Sequence, residues 1–290
     1  MKKFASRGAG ILALIILLLP MMAMAVSGKK VDGQGNRPNI IVIQTDDQDV
    51  ASLRYLPTVN QMAKEGVTFQ NYFVTTPICC PSRVSLVSGE YSHNHRVLYN
   101  SAPGGGFPEY LKQNIDRDNL AVWMQAAGYD TGFFGKFLNG YPQGAGYTWV
   151  GNGWTNWVAL LSGHYFDFVL NVNGTKIPYT NGKDNSTIAL GDRAGAMIRD
   201  SSKAGKPFFL LISPQASHTP LYSEPRFRGM FGGVEAPRNP AYAEADTSDK
   251  PDWVQQWGTM TYERGLSIDA NYRDRLETLM SVDAMLGNIR

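Results

Sequence analysis

The run Asn39-Ile40-Ile41-Val42-Ile43 is apolar at every position after its asparagine. A continuous stretch of this kind, without polar alternation, predicts a short strand covered on both faces. It ends at Thr45-Asp46-Asp47. Residues 57–65 carry helical spacing, opened by Pro57 and stopped by Gly66. Residues 67–74 alternate enough to predict a second strand, which leads through Thr75-Thr76-Pro77 into two adjacent cysteines. Pro81 in a first turn and Gly89 just past an end frame a short helix. Asp118 is placed to cap another helix running through Ala127 to Gly128. Residues 129–134 and 207–213 predict two further strands, the second with a Phe-Phe-Leu-Leu-Ile core.

Strands alternating with helices define an α/β chain with a mostly parallel central sheet covered by helices. In such sheets ligand sites gather beyond the carboxyl ends of the strands. Asp46 and Asp47, Lys136, and His218 each follow one of these ends, and the cysteine pair opens a helix on the same edge. Between residues 141 and 179 the chain is rich in Gly, Asn and aromatics. There Trp154, Trp157, Tyr165, Phe166 and Phe168 predict a β-rich insertion that either packs the core or walls a substrate site. Residues 237–252 read as loop, while Leu279, Val282, Leu286 and Ile289 keep helical spacing.

Composition narrows the function classes. The 290 residues are 43% hydrophobic and 18% charged with net charge +2, so one large domain or two small ones are within reach. No basic run exists, which argues against a nucleic-acid partner. Residues 1–25 combine Lys2, Lys3 and Arg7 with an apolar Ile11–Leu19 and a small-x-small Ala23-Met24-Ala25, the features of a signal peptide. The apolar stretch before Pro20 is short for a membrane span, so no stable membrane partner is expected. Residues 26–36 form a polar linker, and export predicts a secreted, periplasmic or lysosomal protein. Asn173-Gly174-Thr175 and Asn185-Ser186-Thr187 are sequons usable only in a eukaryotic secretory route.

Cys79 and Cys80 are the only cysteines. Adjacent Cα atoms lie about 3.8 Å apart, below the roughly 4.4–6.8 Å that bridged cysteines span, which argues against a disulfide. A thiol at a helix entrance, with Arg83 four residues on, is instead a candidate for chemistry. Asp46 and Asp47 suit a hard divalent cation, since neighbouring carboxylates repel without one.

Cys79-Cys80-Pro81-Ser82-Arg83, continued by Leu86 and Ser88-Gly89, resembles the sulfatase signature. His93-Asn94-His95, Gly135-Lys136-Phe137-Leu138-Asn139 and Ala236-Pro237-Arg238-Asn239 are most similar to the N-acetylglucosamine-6-sulfatase branch. The resemblance implies an alkaline-phosphatase-like sandwich in which Cys79 is converted to formylglycine by the formylglycine-generating enzyme, Cys80 filling the variable position. It implies one calcium ion on Asp46, Asp47 and the modified Cys79. The hydrated aldehyde would attack sulfur and later expel sulfate, an act of covalent catalysis. Arg83 would hold the nucleophile, Lys136 a sulfate oxygen, and His218 the sulfate or the leaving oxygen. His95, which reads equally as a structural hydrogen-bonding residue, and Asn139 are substrate-contact candidates. Leu138 stands where many sulfatases carry histidine. The substrate implied is a sulfated carbohydrate, with 6-O-sulfated N-acetylglucosamine foremost.

That family completes its calcium site with a later Asp-Asn and a further lysine, and neither follows here. The expectation is that residues 37–290 form the N-terminal part of the catalytic domain, a fold incomplete at its C-terminus, weakly active or inactive and poorly stable. Two other readings remain open. One is a phosphatase or phosphodiesterase on the same scaffold; the other is a non-catalytic binder of sulfated glycans.

Overall fold

The computed structural model describes residues 37–290, so the expected signal peptide (1–25) and linker (26–36) lie outside the described residues. Six strands form one sheet: β1 (Ile40–Ile43), β2 (Asp130–Gly135), β3 (Asn156–Ser162), β4 (Phe168–Val172), β5 (Thr175–Tyr179) and β6 (Phe208–Ser213). Their spatial order is β1-β6-β2-β3-β4-β5. The pairs β1/β6, β6/β2 and β2/β3 are parallel, and β3/β4 and β4/β5 are antiparallel. The eight helices described are α1 (Pro57–Glu65), α2 (Cys79–Ser88), α3 (Ser92–His95), α4 (Gly106–Lys112), α5 (Leu120–Ala126), α6 (Ser186–Lys203), α7 (Asp252–Gln255) and α8 (Tyr262–Ile289).

The two-residue period of a strand explains the layering. Phe208, Leu210 and Ile212 of β6 join Leu190, Ala194 and Met197 of α6 and Leu276, Leu279 and Met285 of α8 in one core. Phe209 and Leu211 point the other way, into a second core with Val84 of α2, Phe107 of α4 and Ala121 of α5. Both faces of the sheet centre are therefore covered, as continuous apolar strands require. Within the second core Phe133, Phe137, Tyr141, Trp149 and Trp157 pack edge-to-face or stacked, with centroids 4.7–6.0 Å apart. Trp157, Tyr165 and Phe168 are fully enclosed. The aromatic middle is thus core, and it takes the packing role of the two left open.

Helix α1 has no side-chain cap of its own. Its Thr58 and Val59 amides donate instead to the buried carboxylate of Asp283 on α8, each at 3.1 Å. That satisfies two of the amides a helix start leaves bare and places a negative charge at its positive end.

Three expectations are corrected. The strand β1, expected to be covered on both faces, ends the strand order among the described residues and is only partly covered, with Ile41 38% exposed. Residues 67–74 form no strand: they run as irregular chain with Val67, Phe69, Tyr72 and Phe73 at least three-quarters exposed. Their alternation has no ladder partner among the described residues, since β1 pairs only with β6 there. Helix α5 is capped by Asn119, not Asp118, with the Asn119 side chain accepting from the Ala121 amide at 2.9 Å. Asp118 accepts instead from the Trp123 indole. The short helix α2 ends as read, at Gly89 with φ 70°, a left-handed conformation that glycine adopts without penalty.

Candidate active site

Strand ends deliver the charged groups. Asp46 lies three residues past β1, and its amide donates to the Ala216 carbonyl at 2.9 Å. The Ser217 amide donates back to the Asp46 carbonyl at 2.7 Å, so the loops after β1 and β6 are stitched together. Lys136 directly follows β2, and its amide donates to the Ser213 carbonyl at 2.8 Å. Gly135 permits this approach, because a Cβ there would collide with the Ser213 backbone. Cys79 opens α2, whose second amide, Cys80 N, donates to Asn100 Oδ1 at 2.8 Å.

These elements converge on Asp46, which is only 4% exposed. Its Oδ2 meets Lys136 Nζ, and its Oδ1 lies 3.7 Å from Arg83 Nη2 and 3.7 Å from Cys79 Sγ. A carboxylate this deeply buried needs paired charge, and Arg83 and Lys136 provide it. Arg83 is fixed on three sides, donating also to the Lys136 carbonyl at 2.7 Å and to Ser213 Oγ. His218 closes the group: ligand atoms of Asp46, Cys79 and His218 lie within 4.8 Å of one another. The His218 Nδ1 faces the Thr219 carbonyl, an acceptor only, so the proton sits on Nδ1. Nε2 then faces the Asp47 carboxylate at 3.9 Å. Asp47 is half exposed, in a left-handed conformation (φ 57°), with its carbonyl contacted by Arg275 of α8.

Asp46, Asp47, Cys79 and Arg83 line a cleft of about 660 Å³ that continues along apolar Val42, Tyr72 and Phe73. The neighbouring thiol is different in kind. Cys80 is fully buried; its sulfur accepts from the Asn139 amide at 3.1 Å, and burial pushes its pKa to about 11. A buried thiol kept protonated is inert, whereas Cys79 is partly exposed and lines the cleft. Both cysteines are free.

Two expected residues sit elsewhere. His95 is 2% exposed; its Nδ1 accepts from the Val97 amide at 3.1 Å and its Nε2 meets Ser85 Oγ at 3.0 Å. Both nitrogens are occupied in tying α3 to α2, so the structural role prevails. Asn139 makes its contacts with Cys80. Residues that bear on the site without any signal in the sequence are Asn100, Ser213 and Arg275, reached only through long-range contacts. The residues that could hold a metal ion together are Asp46, Cys79 and His218; Asp47, expected as a ligand, is not in that group, and its carboxylate lies 3.9 Å from His218 Nε2.

The mostly parallel sheet covered by helices, with these groups at its carboxyl edge, is the alkaline-phosphatase-like fold expected from the sequence. The Sulfatase family model matches residues 38–290, and the chain belongs to the sulfatase family. It is 35% identical over 285 residues to an arylsulfatase of Volvox carteri, across 87% of this chain and 43% of that one. It is 33% identical over 262 residues to the human N-acetylglucosamine-6-sulfatase, across 86% and 47% respectively. The chain thus spans just under half the length of these relatives. Among solved structures, a protein held with its substrate D-glucosamine-2-N,6-O-disulfate matches with TM-score 0.62 and 20% identity, over 87% of this chain and 61% of that one. A phosphonate monoester hydrolase from Silicibacter pomeroyi shares the fold equally well, with TM-score 0.62, 18% identity, and coverage of 87% and 58%.

Proposed function

We propose that this chain is the N-terminal part of a secreted sulfuric ester hydrolase acting on the 6-O-sulfate of N-acetylglucosamine or a related sulfated glycan. The observation that carries the reading is the meeting of Cys79, Asp46 and His218 within 4.8 Å, with Arg83 and Lys136 both on Asp46. The names of its curated relatives favour sulfate over phosphate, and several are N-acetylglucosamine-6-sulfatases.

Converted to formylglycine, position 79 would supply the hydroxyl that attacks sulfur; Asp46, Asp47 and that residue would hold a calcium ion, which would supply Lewis-acid polarisation of the ester. The chain's own groups do the rest. Lys136 and Arg83, rigidly held, present positive charge where the sulfuryl oxygens gain negative charge, and such preorganised charge is a large part of catalysis. Arg83 also fixes residue 79, one helical turn away, in its line of attack. His218, oriented through Nδ1 by the Thr219 carbonyl, turns Nε2 toward the site, where it is the group placed to serve the departing sugar oxygen. Asn139 and His95 hold α2 and the loop after β2 in register. The formylglycine-generating enzyme acts on Cys79 and leaves Cys80 alone.

Material co-produced with the formylglycine-generating enzyme tests this. Peptide mass spectrometry is expected to find residue 79 as the aldehyde, and N-acetylglucosamine-6-sulfate to release sulfate faster than the matching phosphate releases phosphate. Sulfate release from material carrying an ordinary Cys79 thiol overturns the mechanism; faster phosphate cleavage overturns the substrate class.

A further inference from the structure

The turn joining β3 to β4, residues 163–167, reaches the loop that bears His218 by two separate side chains. Tyr165 is 0% exposed, and its hydroxyl donates to the His218 carbonyl at 2.7 Å. Its own carbonyl accepts from the Ser186 amide at 2.8 Å, which anchors it to the start of α6. His164 Nδ1 lies 2.6 Å from Gln215 Nε2. An amide nitrogen only donates, so His164 Nδ1 accepts and its ring proton sits on Nε2. Gln215 is itself 6% exposed, and its carbonyl accepts from the His218 amide at 2.8 Å.

A tyrosine needs no hydroxyl to fill an apolar core, and burying one unpartnered is costly. Here the hydroxyl donates to the backbone carbonyl of His218 and also meets the Thr278 side chain of α8. The same stretch is stitched to Asp46 through Ala216 and Ser217. We propose that Tyr165 and His164 are positioning residues: the hairpin tip clamps residues 215–218 and sets the aim of His218 toward Asp47 and position 79. The inference rests on the role given to His218 above.

The test uses the full chain, whose four histidines give few enough ring signals to resolve by NMR. The His218 signal is assigned by its loss in His218→Gln. In Tyr165→Phe, which keeps the ring and removes only the hydroxyl, that signal is expected to shift and broaden while the His93 signal stays put. His164→Ala is expected to do the same more weakly, and His164→Gln, whose side-chain carbonyl can accept from Gln215, to restore it. In active material, Tyr165→Phe is expected to lower kcat about ten- to a hundredfold with KM nearly unchanged, as misaimed groups do. An unmoved His218 signal in both variants overturns the clamp. If Tyr165→Phe fails to fold, the exposed His164 decides alone. An ordinary thiol at residue 79 after co-production with the formylglycine-generating enzyme counts against the proposed function, whereas the NMR result still judges the clamp.

Discussion

The two flanks of the sheet are built from similar residues and reach different ends. On the β2–β3 flank, Phe133, Phe137, Trp154 and Trp157 are all under a tenth exposed and packed ring on ring. On the β1 flank, Val67, Phe69 and Phe73 are 75–80% exposed, and Ile41 of β1 itself is 38% exposed. Among the described residues nothing covers this second flank, and the candidate active site lies on the boundary between the two. Exposed apolar residues beside an open sheet edge are a liability for association. The candidate cleft accordingly has one wall from the partly buried α2 and one exposed wall around Tyr72 and Phe73.

If this contrast is real, equal truncations on the two flanks have unequal effects. Trp157→Ala is expected to cost about 3–5 kcal/mol in urea unfolding, the usual loss for a large enclosed aromatic. Comparable losses for Trp157→Ala and Phe73→Ala would break the comparison. At the boundary, Lys136→Ala is expected to reduce sulfate release about 10²–10³-fold and also to lower the melting temperature, since it takes from the buried Asp46 one of its two charged partners and leaves Arg83 alone. Asp283→Ala is expected to cost about 1–2 kcal/mol through the lost cap of α1, read in the same urea experiment.

His95 gives a pH signature on the covered side. Burial holds its pKa below the usual histidine value of 6.5. The unfolded chain therefore takes up a proton first as pH falls, so stability is full above about 6.5 and declines below it. Unfolding followed from pH 7.5 to 5 is expected to show that decline in wild type and a flatter profile in His95→Asn. Smallest of all is Phe73→Ser, expected to change stability within about 0.5 kcal/mol while reducing light scattering by the concentrated protein.

The legible parts of this molecule were those written locally. The unbroken apolar run of β6 declared a strand with two covered faces, that of β1 declared a strand but not its incomplete cover, and the short segment from Cys79 to Gly89 declared its helix and the family it resembles. Asp46, Lys136, Arg83 and His218 could be placed together because parallel strands bring their carboxyl ends to one edge. The alternation of 67–74 misled, because it reports a face to be buried and not the ladder that buries it. Asn119 displaced Asp118 as a cap by one position, a choice decided by Asp118 finding the Trp123 indole. Asn100, Gln215 and Tyr165 were silent, because their partners are 20 to 53 residues away and no local spacing records them.

The cap on α1 has a consequence for how the protein is made. Its carboxylate arrives 224 and 225 residues after the amides it receives. A ribosome delivers α1 several seconds or more before Asp283 exists, at about 5–20 residues per second. Through that interval the nascent helix start has only water for its bare amides, and a chaperone that shields it then has a defined time to let go.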